Sequence, residues 1–284
     1  MPVFVFLHGL LGSKHDWQKV IENLPHFSCL ALDLPFHDNA KTVCVTDFEQ
    51  TCAYVEQQLQ QLGDQPYYLV GYSLGGRIAL YYAFAYLSKT NAKHHLHGLI
   101  LEGANLGLQH DEERKIRWQQ DLAWATRFRT EPMASVLEDW YQQPVFSHLT
   151  PQARQDLIQK RAIHCGEHIA NMLLATSLAK QPDFRPYLIA STFPIYYFCG
   201  EKDYKFKQMA EQTKLPLVVI QEAGHNAHVE QPTVFANNIK TLFFIWCLIF
   251  FFCLCFVYSL SVFSFFFLYL YFIHFNVFLS TSFH

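Results

Sequence analysis

The chain has 284 residues, a formal net charge of −3 and only 16% charged residues. This length suits one large domain, or one domain with an appendage. A surface that binds nucleic acid needs clustered Lys and Arg, so this weak negative balance argues against such a partner. The cysteines are scattered and include no Cys-x-x-Cys pair, which favours reduced thiols in a cytoplasmic protein.

The first hundred residues alternate between predicted strands and helices. Residues 3–7 form a continuous β-branched and aromatic run, which is typical of a buried strand. His8-Gly9 interrupts this run and no basic stretch precedes it, so we expect no signal peptide. The predicted strands are 3–7, 28–32, 67–70 and 98–102, and the predicted helices are 17–24, 48–62 and 78–87. This alternation indicates an α/β fold with a mostly parallel sheet flanked by helices.

A helical insertion follows, from residue 105 to about residue 186. It contains no good strand pattern and is rich in Trp, Arg and Gln. Its predicted helices are 112–128, 133–141, 151–163 and 167–179. Alternation then resumes with strands 194–198 and 217–220 and helices 206–213 and 233–242. We expect this insertion between two strands of the sheet to form a lid.

Residues 243–284 differ in kind from the rest of the chain. No Lys, Arg, Asp or Glu follows Lys240, and residues 243–275 are nearly all Phe, Leu, Ile, Val, Tyr, Cys and Ser. This run is longer than the roughly 20 apolar residues that span a bilayer, so one interpretation is a transmembrane anchor. The other interpretation is read-through, because T-rich DNA encodes the same residue types and a frameshift would carry translation past the true stop codon. We expect an α/β domain over 1–242, with the tail left open between transmembrane segment and read-through.

The segment Gly71-Tyr72-Ser73-Leu74-Gly75 fits the G-x-S-x-G pattern of a nucleophile elbow. An apolar run precedes it and a helix-compatible run follows it. Glycines on either side of the serine let a strand and a helix pass closely, and the helix N-terminus favours negative charge. Ser73 is therefore the candidate nucleophile or base.

Two further residues complete a candidate catalytic triad. Asp203 follows one predicted strand and His225 lies in the loop after the next. The chain order Ser73, Asp203, His225 is that of α/β hydrolases, in which loops at the carboxyl ends of parallel strands converge. His225 would accept the serine proton and Asp203 would hold the imidazole tautomer.

An oxyanion hole needs two backbone N–H groups. Leu74 follows the serine directly and supplies one. Leu10, in the loop after the first strand, is the candidate for the second. We expect His8 to brace that loop and to take no part in the chemistry.

Arginines near the elbow and in the insertion suggest an anionic substrate. Arg77 lies one helical turn after Ser73, and Arg117 and Arg161 lie on predicted lid helices. Guanidinium groups bind carboxylates bidentately, so arginines converging on one serine would suit a small polycarboxylate. Trp140 lies on another lid helix, where packing within the lid is the simpler role.

Metal binding is not expected. The run His94-His95-Leu96-His97 clusters imidazoles, but no carboxylate or thiol lies close to it in sequence. We therefore expect no metal site.

Five segments carry a more specific signal than the triad. They are Phe6-Leu7-His8-Gly9, Asp33-Leu34-Pro35, Val70-Gly71-Tyr72-Ser73-Leu74-Gly75-Gly76-Arg77, Asp139-Trp140-Tyr141-Gln142-Gln143-Pro144-Val145-Phe146 and Ala223-Gly224-His225-Asn226-Ala227-His228. Over about residues 3–242 the chain thus resembles the 2-succinyl-6-hydroxy-2,4-cyclohexadiene-1-carboxylate synthase family. These are α/β-hydrolase-fold lyases of bacterial menaquinone biosynthesis.

The resemblance implies a cofactor-free 2,5-elimination that releases pyruvate from 2-succinyl-5-enolpyruvyl-6-hydroxy-3-cyclohexene-1-carboxylate. Ser73, activated by His225 and Asp203, would act as the base on a ring proton. The implied substrate contacts are Tyr72, Arg77, Arg117, Trp140 and Arg161. We expect a monomer that binds no nucleic acid and meets a membrane only if the tail is an anchor.

The chain departs from the family pattern at two places within the domain. Phe36-His37 stands where the family usually has Gly-His-Gly, and the edge strands that often open this fold are missing or reduced. Two alternatives stay open. One is an ester, thioester or C–C bond hydrolase that uses Ser73 as a covalent nucleophile. The other is a membrane-tethered or inactive product of a damaged gene.

Overall fold

A computed structural model describes residues 2–90 and 95–243 of the chain. Within these residues, six strands form one sheet. They are β1 (Val3–Leu7), β2 (Ser28–Leu32), β3 (Tyr67–Tyr72), β4 (Leu96–Glu102), β5 (Ile195–Gly200) and β6 (Leu217–Ile220). The strand order is β2-β1-β3-β4-β5-β6, and every neighbouring pair is parallel. The predicted α/β-hydrolase fold is confirmed.

Helices connect the strands, as parallel pairing requires. They are α1 (Gln18–Glu22), α2 (Phe48–Leu59), α3 (Leu74–Tyr81), α4 (Asp111–Thr130), α5 (Met133–Trp140), α6 (Pro151–Arg161), α7 (Gly166–Ala175), α8 (Arg185–Ile189), α9 (Tyr204–Glu211), α10 (Ala227–Glu230) and α11 (232–243). Asp47 caps helix α2, because its carboxylate accepts from the Gln50 N–H and so satisfies one free donor of the first turn.

Strand β1 is buried on both faces. Val3, Val5 and Leu7 pack with α2 and α3 in the main core, whereas Phe4 and Phe6 point to the other face, where Phe6 meets Trp17. Alternate side chains of a strand point to opposite faces, so helices on both sides bury a continuous apolar run. This burial places the carboxyl end of β1, and the loop after it, beside the elbow.

The predicted insertion is observed between β4 and β5, where α4 to α8 lie. Helices α4 to α7 share a second apolar cluster that includes Phe128, Val136, Leu137 and Ile169. The cluster also includes Leu11 from the loop after β1, so it packs the insertion onto that loop.

Two helices end earlier than their apolar pattern predicts. The helix after the elbow gives way to a π-helical turn at Tyr82–Tyr86. Helix α7 stops at Ala175, and Leu178–Lys180 forms a separate 3₁₀ turn because the Ser177 hydroxyl accepts from the Ala179 N–H. The Ser177 cap thus ends the helical run, although the apolar periodicity of the sequence continues beyond it.

Residues 1–236 form one structural unit and residues 237–284 form another. Of the second unit, only residues 237–243 are described, and they are helical. The predicted tail at 243–284 therefore lies almost entirely outside the described residues, and its domain boundary stays a prediction. Within 2–90 and 95–243, no helix combines the length and apolar character needed to cross a bilayer.

Candidate active site

Ser73 occupies a strained turn between β3 and α3. Its backbone lies at φ 49° and ψ −105°, a region that residues other than glycine rarely adopt. The Ser73 N–H donates to the Glu102 carbonyl at 2.8 Å, which ties the turn to the end of β4. The serine thus stands at the N-terminus of α3, where the helix dipole favours negative charge.

Glycines make this turn possible. A Cβ at Gly75 would collide with the Leu7 carbonyl oxygen of β1, and one at Gly71 would lie 2.5 Å from the Gly76 nitrogen. Neither contact is sterically allowed, so strand and helix approach closely only because side chains are absent.

Asp203 and His225 meet after β5 and β6. The Nδ1 atom of His225 lies 2.7 Å from Oδ2 of Asp203, and both side chains are buried. The carboxylate can only accept, so Nδ1 carries the proton and Nε2 is left as the basic atom. This is the arrangement of a general base held in one tautomer.

Aromatic rings and one glycine surround the His225 ring. Phe206 stacks on it with centroids 4.9 Å apart, and Phe146 meets it edge-on at 5.8 Å. Gly103 has φ +53°, and a Cβ there would lie 2.8 Å from the His225 Cε1. The sequence analysis did not select Gly103. Its position directly after β4, at the sheet edge where the candidate triad residues converge, was the available signal.

The two predicted oxyanion residues lie on the elements expected of them. Leu74 is the first residue of α3. Leu10 lies in a turn that the Gly12 N–H closes by donating to the Gly9 carbonyl at 3.0 Å. His8 braces this loop, since its Nε2 accepts from the Leu34 N–H at 3.0 Å and its Nδ1 donates to the Gly9 carbonyl.

A small pocket of about 30 Å³ lies between the sheet edge and the lid. The predicted residues Leu10, Tyr72, Trp140 and Arg161 line it. Trp140 also packs edge-on against Trp124 with centroids 5.0 Å apart, as expected for a lid-core residue.

Two residues that follow His225 closely in sequence also line this pocket. They are Asn226, whose Oδ1 accepts from the Tyr72 hydroxyl, and His228. The sequence analysis quoted both within the segment 223–228 but gave neither a role.

Arg161 is buried and already has an anionic partner. Its Nη2 donates to Asp16 Oδ2 at 2.6 Å, and Lys160 bonds the other carboxylate oxygen at 2.8 Å. Burial alone would raise the pKa of Asp16, but the two cations outweigh it and hold that pKa below its ordinary value. Two cations share one carboxylate, so this corner of the pocket carries net positive charge.

The other two predicted arginines lie elsewhere. Arg117 pairs with Asp121 at 2.7 Å and lines a different pocket, of about 410 Å³, together with Lys205. Arg77 is buried and donates to the Thr176 carbonyl at 2.7 Å. Burial and the nearby Arg117 charge lower the pKa of Arg77 to about 9, which still leaves it a cation at neutral pH. The structure thus brings Arg77 near Arg117 but does not bring all three arginines to one pocket.

No group of metal-ligating side chains occurs in residues 2–90 and 95–243. Of the predicted histidine run, His95 lies within this range and pairs with Asp64 at 3.2 Å, whereas His94 lies outside it.

Comparisons with known proteins agree with this geometry. The family model described as alpha/beta hydrolase fold matches residues 2–232. A Haemophilus influenzae protein, provisionally named 2-succinyl-6-hydroxy-2,4-cyclohexadiene-1-carboxylate synthase, is 57% identical over 83% of this chain and 95% of its own. The synthase of that name from Yersinia enterocolitica is 48% identical over 83% of this chain and 84% of its own.

A solved structure adds to these relatives. MenH from S. aureus superposes with a TM-score of 0.76 at 27% identity, over 84% of this chain and 92% of its own. The chain therefore belongs to the alpha/beta hydrolase fold family and, within it, to the 2-succinyl-6-hydroxy-2,4-cyclohexadiene-1-carboxylate synthases.

Proposed function

We propose that this enzyme eliminates pyruvate from 2-succinyl-5-enolpyruvyl-6-hydroxy-3-cyclohexene-1-carboxylate, with Ser73, His225 and Asp203 as its catalytic triad. The product is 2-succinyl-6-hydroxy-2,4-cyclohexadiene-1-carboxylate, an intermediate of menaquinone biosynthesis. The observation that carries the proposal is the buried His225–Asp203 hydrogen bond beside the strained Ser73 turn.

The bonds balance without a cofactor. The ring C2–H bond breaks, and its electron pair forms the C2=C3 double bond. The original C3=C4 pair moves to C4=C5, and the C5–O bond to the enolpyruvyl group breaks. The enolate that leaves takes up one proton and becomes pyruvate, so the overall reaction consumes no oxidant and no water.

Ser73 is the base in this scheme. Nε2 of His225 takes the hydroxyl proton, and the resulting alkoxide takes the C2 proton. The hydrogen bond to Asp203 stabilises the imidazolium that forms. The proton on His225 is then available to the departing enolate.

Developing charge falls on the ketone oxygen of the succinyl group, because C2 is adjacent to that carbonyl. The backbone N–H groups of Leu10 and Leu74 would stabilise it, as donors aimed at a developing oxyanion do. The substrate carboxylates would bind cations near the two pockets, with Arg161 on one side and Arg77 and Arg117 on the other. Tyr72 and Trp140 would lie against the cyclohexene ring of the substrate.

A coupled assay of pyruvate release tests the proposal. Ser73→Ala should lower kcat about 1000-fold, because general-base steps of this kind are worth roughly 10²–10⁴. Hydrolysis of a chromogenic ester by the same preparations is the counter-assay. Ester hydrolysis at a high rate without pyruvate release would replace the lyase with a Ser73 acyl-enzyme hydrolase.

The setting is part of the same proposal. We place the enzyme in the cytoplasm as a monomer with a small polycarboxylate substrate and no nucleic-acid partner. The scattered, unpaired cysteines within the described residues favour a reducing compartment. Sedimentation of the purified chain would test the monomer.

A further inference from the structure

Leu11, next to the proposed oxyanion residue Leu10, has an unusual backbone. Its φ is +67°, in the left-handed region that favours glycine, and its side chain is buried. Side chains with a Cβ adopt this conformation only where the surroundings hold it. The Leu10 N–H therefore depends on whatever fixes Leu11.

Two histidines hold Leu11 from opposite sides of its backbone. The Leu11 N–H donates to Nε2 of His37 at 3.3 Å, and the Leu11 carbonyl accepts from Nε2 of His164 at 3.0 Å. The two rings meet edge-on, with centroids 5.8 Å apart. His37 comes from the loop after β2 and His164 from the lid just after α6, so three distant segments meet at one residue. We call His37 and His164 the Leu11 clamp.

Hydrogen bonds set the protonation state that the clamp needs. His37 Nδ1 faces the Pro35 carbonyl at 2.8 Å and must donate, which leaves Nε2 as an acceptor for the Leu11 N–H. His8 repeats the pattern, with Nδ1 on the Gly9 carbonyl and Nε2 on the Leu34 N–H. The rings of His8 and His37 lie 4.9 Å apart. A proton added to either Nε2 would remove the acceptor.

The charges around these rings favour the neutral form. Burial, the neighbouring His8 and the Arg161 cation lower the pKa of His37 well below its ordinary value. Burial and Arg161 also lower the pKa of His164.

The charged groups that act on the rings of His8, His37 and His164 come from three segments. They are Asp16 from the turn before α1, Asp33 and Asp38 from the loop after β2, and Arg161 from the end of α6. Asp16 and Asp38 act in the opposite direction and raise the pKa of His164, but burial and Arg161 outweigh them.

We propose that His37 and His164 are positioning residues, which hold Leu11 and through it keep the Leu10 N–H aimed at the developing oxyanion. This inference rests on the proposed function, because that function assigns Leu10 its role. An oxyanion donor acts in the transition state more than in the bound substrate, so loosening it lowers kcat and spares KM. The lid contributes half of the clamp, which couples lid placement to the oxyanion loop.

The first test is a pair of variants at the half-buried His164. His164→Leu removes the donor to the Leu11 carbonyl, and His164→Gln supplies a new one. We expect His164→Leu to lower kcat about tenfold with KM within twofold, since a displaced donor costs less than a deleted one. We expect His164→Gln to recover most of the loss. His97→Leu, at an exposed site on β4, is the control and should retain the wild-type kcat.

Two results would overturn the proposal. One is a wild-type kcat in His164→Leu, and the other is a loss in kcat that His164→Gln does not recover. Thermal unfolding of each variant separates loss of positioning from loss of fold. His37→Phe is the harsher companion variant, and the His164 pair still decides if that variant does not fold.

A spectroscopic test does not depend on the reaction. In ¹⁵N spectra of histidine-labelled protein, His37 should show a protonated Nδ1 and an unprotonated Nε2 at pH values well below 6.5, the ordinary pKa of histidine. Its Nε2 signal should shift in His164→Leu, because the shared Leu11 residue moves. Titration of His37 near pH 6.5 would contradict the clamp, whatever the pyruvate assay shows. Absence of pyruvate release with the expected spectra would instead remove the proposed function and leave the clamp.

Discussion

His225 and His228 lie one helical turn apart in sequence, and each bonds a buried carboxylate through Nδ1. His225 bonds Asp203 at 2.7 Å, and His228 lies 2.8 Å from the nearer oxygen of Glu102. All four side chains are nearly inaccessible to solvent. Composition and burial therefore do not tell the two pairs apart.

The surroundings of the two pairs differ. His228 belongs to α10, its backbone N–H also donates to Glu102 at 3.0 Å, and its ring stacks on Trp17 with centroids 4.1 Å apart. His225 lies in the loop before α10, against Gly103, which has no side chain. The doubly bonded, stacked pair is suited to joining β4 to α10. The pair beside a glycine and the elbow is suited to proton transfer.

The largest expected effect comes from breaking the pair at His225. Asp203→Asn keeps the size of the side chain but replaces an acceptor with an amide, which favours the wrong imidazole tautomer. We expect kcat for pyruvate release to fall about 10⁴-fold, with little change in the denaturant midpoint. A loss below tenfold would show that Asp203 does not orient the base.

Breaking the pair at His228 should mainly change stability. Glu102→Ala leaves the His228 N–H and Nδ1 without their acceptor in a buried site. We expect the free energy of unfolding to fall by about 3 kcal/mol, measured by denaturant unfolding, because buried polar groups lose their partner. The kcat loss should stay far smaller than that of Asp203→Asn. The reverse ranking would place Glu102 in the catalytic machinery.

A histidine without a carboxylate partner extends the comparison. Burial lowers the pKa of His8 from 6.5 to about 4. As pH falls, the unfolded chain binds a proton at His8 before the folded protein does. The contribution of neutral His8 to the free energy of unfolding is therefore complete above pH 6.5 and is lost as pH falls towards 4. The linked loss is about 3 kcal/mol. Unfolding measured between pH 7 and 4 should show this slope. His8→Gln should reduce it, whereas His26→Gln, at an exposed site, should not.

The smallest effect is expected at the lid. Arg117 is half exposed and bonds Asp121, so its removal leaves the fold intact. We expect Arg117→Ala to raise KM about tenfold and to change kcat little, as loss of uniform carboxylate binding does. Arg129→Ala, on the same helix, should leave both constants unchanged. Unchanged KM in Arg117→Ala would remove this arginine from the substrate site.

Much of the fold could be predicted because its signals are local. The apolar run of β1, the glycines around Ser73 and the alternation of strands and helices each restrict the backbone within a few residues. Helix ends were harder to predict. The cap that Ser177 provides ended α7 early, and apolar periodicity does not report it.

The sequence by itself determined the elbow, the order Ser73, Asp203, His225 and the family, because these depend on residue types at short spacings and on parallel strands that converge at one edge. Tertiary structure alone decided which partner each charged or titratable side chain meets. Arg161 bonds Asp16, His228 bonds Glu102, and His37 and His164 bond Leu11, across sequence separations of 26 to 153 residues. Packing selects such partners only after the sheet and lid have formed, and no local pattern encodes them.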